Sequence, residues 1–152
     1  MEPGPHQAEY EMPPRIDHVG IATKNLEDSS ILWNILGLKQ GVDEIIPEHD
    51  VRVRIFHGTD NNLNETFSKI ELIEPLSDSS PIAKFISNQG EGIQQIAINV
   101  QNIEFVIDKL MNNNFTMINS TPNIGANGNL IAFIHPKSTG GILVELVQSQ
   151  IQ

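Results

Sequence analysis

Residues 16–27 (IDHVGIATKNLE) lie without a gap over residues 93–104 (IQQIAINVQNIE), at a constant offset of 77 positions in a chain of 152. A repeat of about half the chain length restricts the fold to two similar modules, and a module of roughly 75 residues has one sheet face that it cannot bury alone. The two modules should therefore associate. Each block opens as a short β-rich strand of alternating character, passes through an Asn suited to cap a helix (Asn25, Asn102) and continues as a helix. In the second helix Ile103, Val106, Ile107, Leu110 and Met111 follow the spacing of a core-facing stripe, which should end in Asn112-Asn113-Asn114. The first, about Leu26 to Leu36, carries Ile31, Leu32, Trp33, Ile35 and Leu36 and stops at Gly37, a good residue just past a helix end.

Three further strands are expected after each helix: Leu38–Ile46, Val51–His57 and Phe67–Ile73 in the first module, then Phe115–Asn119, Leu130–His135 and Ile142–Val147 in the second. Turn chemistry separates them at Thr59-Asp60-Asn61-Asn62, Asn127-Gly128 and Thr139-Gly140-Gly141. The pattern is strand, helix, three strands, twice over, in one domain spanning residues 15–149. Module one covers about residues 15–76 and module two about 93–148. A linker over 77–92 carries a short helix that begins at Ser80-Pro81 and runs through Lys84 and Phe85. Residues 1–14 (MEPGPHQAEYEMPP) are proline-rich and acidic and read as a loose, disordered tail. They have neither the basic start and apolar stretch of a signal peptide nor the arginines of a transit peptide, so the cytoplasm is the expected location.

Nine Lys and Arg stand against nineteen Asp and Glu, for a formal charge of −10. Such a field does not recruit nucleic acid or an anionic membrane, and no apolar run reaches bilayer-spanning length. With no cysteine, disulfides and thiolate metal sites are excluded, and any chemistry rests on histidine, carboxylates and amides.

Strand parity locates those groups. In the first strand Val19 and Ile21 point one way, and Ile16, His18, Gly20 and Ala22 the other. In the repeat Ile96 and Ile98 oppose Ile93, Gln95, Ala97 and Asn99. The large apolar pair should pack under the helix, leaving a polar group among small neighbours on the far face. Glu71 and Glu145 each interrupt an apolar last strand, where a carboxylate is expensive to desolvate unless paired or bound to a cation. His18, Gln95, Glu71 and Glu145 thus occupy two pairs of equivalent positions. Together they would make a site for a hard to borderline divalent cation. Ordinary strand packing is the competing reading. His6 falls in the tail, His49 in a turn and His57 at a strand end, where solvated or structural roles fit better. His135 opens a polar, glycine-containing loop. No Walker loop, nucleophile elbow or dinucleotide fingerprint is present.

Taken in order, IDHVGIA (residues 16–22), KIELIEPL (69–76), SPIAKF (80–85), IGA (124–126), HPKSTGG (135–141) and VEL (144–146) resemble the methylmalonyl-CoA epimerase family of the vicinal oxygen chelate, or glyoxalase-like, superfamily. The resemblance covers about residues 15–148. It implies an α+β fold of two βαβββ modules, with a cup-shaped mixed sheet around a divalent metal, and a homodimer. The family's metal ligands fall on His18, Glu71 and Glu145. At the fourth, members usually read Gly-Ile-His-His where this chain has Gly92-Ile93-Gln94-Gln95, so Gln95 would offer an amide oxygen in place of imidazole. That exchange favours Co²⁺, Mn²⁺ or Mg²⁺ over Zn²⁺.

The implied activity is inversion of C2 of methylmalonyl-CoA through an enolate, with Glu145 as one acid/base. Some members carry a glutamate where this chain has Val53, which leaves the second acid/base to Glu71, His57 or a water. Lys84, Lys137, Arg52 and Arg54 are the cations available to the CoA phosphates. The alternatives are a glyoxalase-type isomerase on the same scaffold, or a metal-free, non-catalytic binding paralogue. A dioxygenase with two histidines and one carboxylate is disfavoured, since His18 is the lone histidine at the four equivalent positions.

Overall fold

The computed structural model describes residues 13–125 and 128–149; most of the expected tail, with His6, and Asn127 of the expected Asn127-Gly128 turn lie outside the described residues. Among the described residues nine strands and three α-helices follow in the order β1 (Arg15–Ala22), α1 (Leu26–Ile35), β2 (Lys39–Gln40), β3 (Glu44–Ile46), β4 (Val51–Thr59), β5 (Glu65–Pro75), α2 (Pro81–Gln89), β6 (Gly92–Asn99), α3 (Ile103–Asn112), β7 (Asn123–Ile124), β8 (Leu130–Ile134) and β9 (Leu143–Gln148). Parallel pairing of β1 with β5 beside antiparallel pairing of β4 with β5 makes the sheet mixed and the class α+β, as expected. The chain divides into two compact units. The first is His18–Gln95, and the second runs from Ile96 and includes the residues up to Asp17.

In the first unit the strand order is β2-β4-β5-β1, with β3 also on β4. Asn25 caps α1, its side chain accepting from Asp28 N at 2.9 Å, and Glu27 and Asp28 complement the positive helix end. Gly37, at φ 90°, takes the left-handed turn that releases the chain after α1. α1 covers the sheet face bearing Phe56, Leu72, Ile21 and Ile70, through Leu26 and Trp33. On the opposite face Ile82 and Ile86 of α2 pack with Ala22, Val51, Val53 and Ile73. Ser80 caps α2, with Ile82 N donating to its hydroxyl at 3.1 Å and Pro81 at the first helical position.

The apolar residues of α1 do not all turn inward. Ile31, Leu32, Ile35 and Leu36 are 57, 53, 77 and 63% exposed, whereas Leu26 and Ser30 are buried. The cause lies beneath the helix. Arg54 of β4, 6% exposed, donates to Ser30 Oγ at 2.9 Å, to Glu27 at 2.8 Å and to both carboxylate oxygens of Asp43 at 2.6 and 2.8 Å. A buried guanidinium needs this set of acceptors, so the helix presents Ser30 to it and the apolar stripe rotates outward. The same contact breaks the single strand expected over Leu38–Ile46 into β2 and β3, with Asp43 in the break turned toward Arg54.

In the second unit the order is β6-β9-β8-β7. α3 buries Ile103 and Ile107 against Ile98, Ala132, Ile134 and Leu146, with Val106 and Leu110 beside them. Met111, expected in the stripe, is 47% exposed. Phe115–Asn119 is not a regular strand. It lies along β8 through Ile118 N to Phe133 O and His135 N to Thr116 O, while the Asn119 side chain takes the Phe133 N–H. The extra strand is β7, also on β8.

The repeat recurs bond by bond. Thr23 N donates to Ile73 O at 2.9 Å, and Val100 N to Val147 O at 2.8 Å. Leu26 N donates to Glu74 Oε2 and Ile103 N to Gln148 Oε1, both at 2.8 Å. Donors differ by 77 positions and acceptors by 74. Glu71 and Glu145, each two residues before the paired carbonyl, therefore hold equivalent places in their units.

Arg54→Met should lower the unfolding free energy by about 2 kcal/mol, a figure reduced because Glu27 is exposed and Asp43 partly so. The Arg54 guanidinium holds the Asp43 carboxyl below its ordinary value of 3.8. Its contribution is thus full above that value and disappears as pH falls through the lower folded-state value. Denaturant unfolding of both proteins across pH should show the gap narrowing only in acid; a gap independent of pH down to 2 would contradict this.

Candidate metal centre

Strand register sets the face that α1 does not cover. Reading across β4, β5 and β1, its rows are His57–Lys69–His18, Ile55–Glu71–Gly20 and Val53–Ile73–Ala22. His18 and Glu71 are therefore diagonal neighbours on adjacent strands, and Gly20, beside Glu71, is bare. Gln95, in the first half of β6, fills the space that Gly20 leaves. A Cβ at position 20 would lie 2.5 Å from Gln95 Cγ and 3.2 Å from its Cδ.

Among the neighbours of His18 Nε2 are Glu71 and Gln95. It stands 3.5 Å from Glu71 Oε2 and 3.2 Å from the Gln95 amide nitrogen. Amide oxygen and nitrogen are assigned rather than distinguished, and a half-turn about the last bond of Gln95 presents its oxygen instead. The side chains of His18 and Glu71 are 11 and 17% exposed, so water does little to screen them. A lone pair and a carboxylate directed at a common point repel unless a proton or a cation lies between them.

Two donors each about 2.1 Å from one ion stand about 3.0 Å apart at a right angle and about 3.4 Å apart at the tetrahedral angle. Of the separations around His18, 3.2 Å lies within that range and 3.5 Å just above it, and the nitrogen, carboxylate and amide set suits a divalent ion. Among the described residues no group of three or more His, Asp or Glu side chains is disposed to hold a metal; the third donor beside His18 and Glu71 is an amide. Glu145 lies in the second unit, half-buried on β9 opposite Phe133 of β8, on the face away from α3.

The remaining expected groups are placed as follows. His57 is buried, with Nε2 3.2 Å from Glu65, and sits two strands from His18. Val53, where an acid/base was sought, is buried among Ile73, Ile82 and Ile86. Arg54 is consumed by Asp43, Glu27 and Ser30, so it is not free for a CoA phosphate. Lys84 and Lys137 are exposed, as are His49 and His135, and His135 Nδ1 accepts from Lys137 N. No helix among the described residues is long and apolar enough to cross a membrane.

This strand plan finds its counterpart among known proteins. The family model of the glyoxalase/bleomycin resistance protein/dioxygenase superfamily matches residues 17–133. Over 136 residues the chain is 39% identical to the mitochondrial methylmalonyl-CoA epimerase of Dictyostelium discoideum, covering 87% of this chain and 76% of that one. A crystal structure of methylmalonyl-CoA epimerase from Mycobacterium tuberculosis superposes with TM-score 0.75 at 34% identity, covering 90% of this chain and 88% of the other. A Streptomyces coelicolor methylmalonyl-CoA epimerase variant in complex with 2-nitronate-propionyl-CoA gives 0.76 at 28% identity, over 90 and 98% of the two chains. The chain belongs to this superfamily and, within it, to the methylmalonyl-CoA epimerase family.

Gly20→Ala should push the Gln95 side chain off its place without removing any donor. Isothermal titration with Mn²⁺ should show affinity falling roughly 10- to 100-fold, as when a group that orients a ligand is lost. The denaturation midpoint of the metal-free protein should hardly move. Unchanged affinity would contradict the placement of Gln95.

Proposed function

We propose that the protein is a metal-dependent epimerase that inverts C2 of methylmalonyl-CoA. The observation that carries the reading is the convergence of Glu71 and Gln95 on His18 Nε2, over a bare glycine, in a chain of this family. Support for the substrate comes from the Streptomyces coelicolor relative with its bound 2-nitronate-propionyl-CoA. A nitronate is a planar, delocalised anion, like the enolate left when C2 loses its proton.

His18, Glu71, Gln95 and Glu145 are the residues that would hold the ion. Glu145 joins the set because its place in the second unit is that of Glu71 in the first. The ion when bound would stabilise the negative charge that develops on the substrate's carbonyl oxygens. Glu145 would take the C2 proton, already acidified by the thioester and the carboxylate, and return it in the reverse direction. Inversion also needs a proton delivered to the opposite face; buried Val53 cannot supply it, which leaves Glu71, His57 or a water as its donor. Two carboxylates balance the double charge, while the amide softens no bond to the metal as a second imidazole would. Co²⁺, Mn²⁺ and Mg²⁺ are therefore favoured over Zn²⁺. A homodimer is part of the proposal, on the strength of the family.

The test is C2 proton–deuterium exchange on methylmalonyl-CoA in D₂O with added Co²⁺, Mn²⁺ or Mg²⁺. Exchange should rise well above background with at least one ion, and Glu145→Gln should cut it by about 10²- to 10⁴-fold, the usual worth of a general base. Absence of exchange with every ion would overturn the reading and favour a binding paralogue.

A further inference from the structure

The three rows of the face opposite α1, one end of which α2 covers, hold one cation. Lys69 stands between His57 and His18, directly beside His18 on the neighbouring strand and two residues before Glu71 on its own. It is half-buried, and among the described residues its ammonium has no hydrogen-bond or ion-pair partner. The carboxylates on this face do not answer it: Glu65 meets His57 at 3.2 Å, and Glu71 meets His18 at 3.5 Å. Arg54 and Arg52 alternate to the other face of β4, and Arg54 is fully engaged there.

A half-buried ammonium without a counter-charge is unfavourable on its own, and the four-carbon stem of lysine can carry it across the roughly 4.8 Å between neighbouring strands. In a protein of net charge −10, a cation kept in such a place suits an anionic ligand at the site. We infer that Lys69 binds the free carboxylate of a 2-carboxyacyl thioester and so selects malonyl-type substrates over simple acyl thioesters. This rests on the epimerase reading above. Lys69 is a binding and specificity residue: it holds the carboxylate while the C2 proton moves elsewhere, so its loss should act on KM rather than on kcat.

The experiment measures affinities of methylmalonyl-CoA and propionyl-CoA by titration calorimetry, alongside C2-exchange kinetics, for the metal-loaded wild type, Lys69→Met and Lys69→Arg. The wild type should prefer the carboxylated thioester. Lys69→Met should lose roughly 10-fold or more in affinity for methylmalonyl-CoA, as removal of a charged hydrogen-bond partner does, with propionyl-CoA affinity little changed. KM should rise by the same factor at near-constant kcat, and Lys69→Arg should recover most of the loss. Equal losses for both thioesters, no loss, or a fall in kcat at unchanged KM would each overturn the assignment of Lys69. A wild type that binds neither thioester would instead overturn the substrate reading itself.

Discussion

The meeting of an imidazole, a carboxylate and an amide within 3.5 Å of one nitrogen governs this face of the protein. Apolar Ile55, Val53, Ile73 and Ala22 share these rows of side chains with Lys69 and His57. Donor groups in such a setting are costly unless something positive lies between them. The local structure is arranged around that cost. Gly20 gives up its side chain so that the Gln95 stem can lie across the strand, and parallel pairing of β1 with β5 brings Glu71 diagonal to His18.

A second polar cluster has the opposite character. Arg54 sits under α1 with Asp43, Glu27 and Ser30, and its hydrogen-bonding requirement is met within the first unit. It is structural, turning the helix and interrupting the strand after it. The contrast separates the two faces of the sheet by chemistry. Beneath α1 the charges are matched, whereas on the opposite face His18 and Glu71 converge and Lys69 stands alone.

Much of this was legible in the sequence because strand periodicity and the 77-residue offset both assign side chains to faces. His18, Glu71 and Gln95 were singled out in that way, and the structure brings them together. The cap residues Asn25, Asn102 and Ser80 were readable because each cap is a local bond between near neighbours. The turn of α1 was not readable. It depends on a contact from Arg54 to Ser30, 24 positions away, that no local pattern reveals. Phe115–Asn119 misled for a related reason, because its β-like composition is real but the Asn119 side chain takes a bond that a backbone group would otherwise make. Lys69 opens the segment KIELIEPL, where no local pattern marks it. Only the pairing register shows that it flanks His18, and only the hydrogen bonds of Arg54 show that this cation of the other face is already spent.

The central claim is that His18 and its neighbours hold one divalent ion, with a single imidazole among the ligands. Electron spin-echo envelope modulation of the protein loaded with one equivalent of Mn²⁺ tests it most directly. The account predicts coupling to one imidazole nitrogen, abolished by His18→Gln. A spectrum without nitrogen coupling, or one showing two imidazoles, would contradict it.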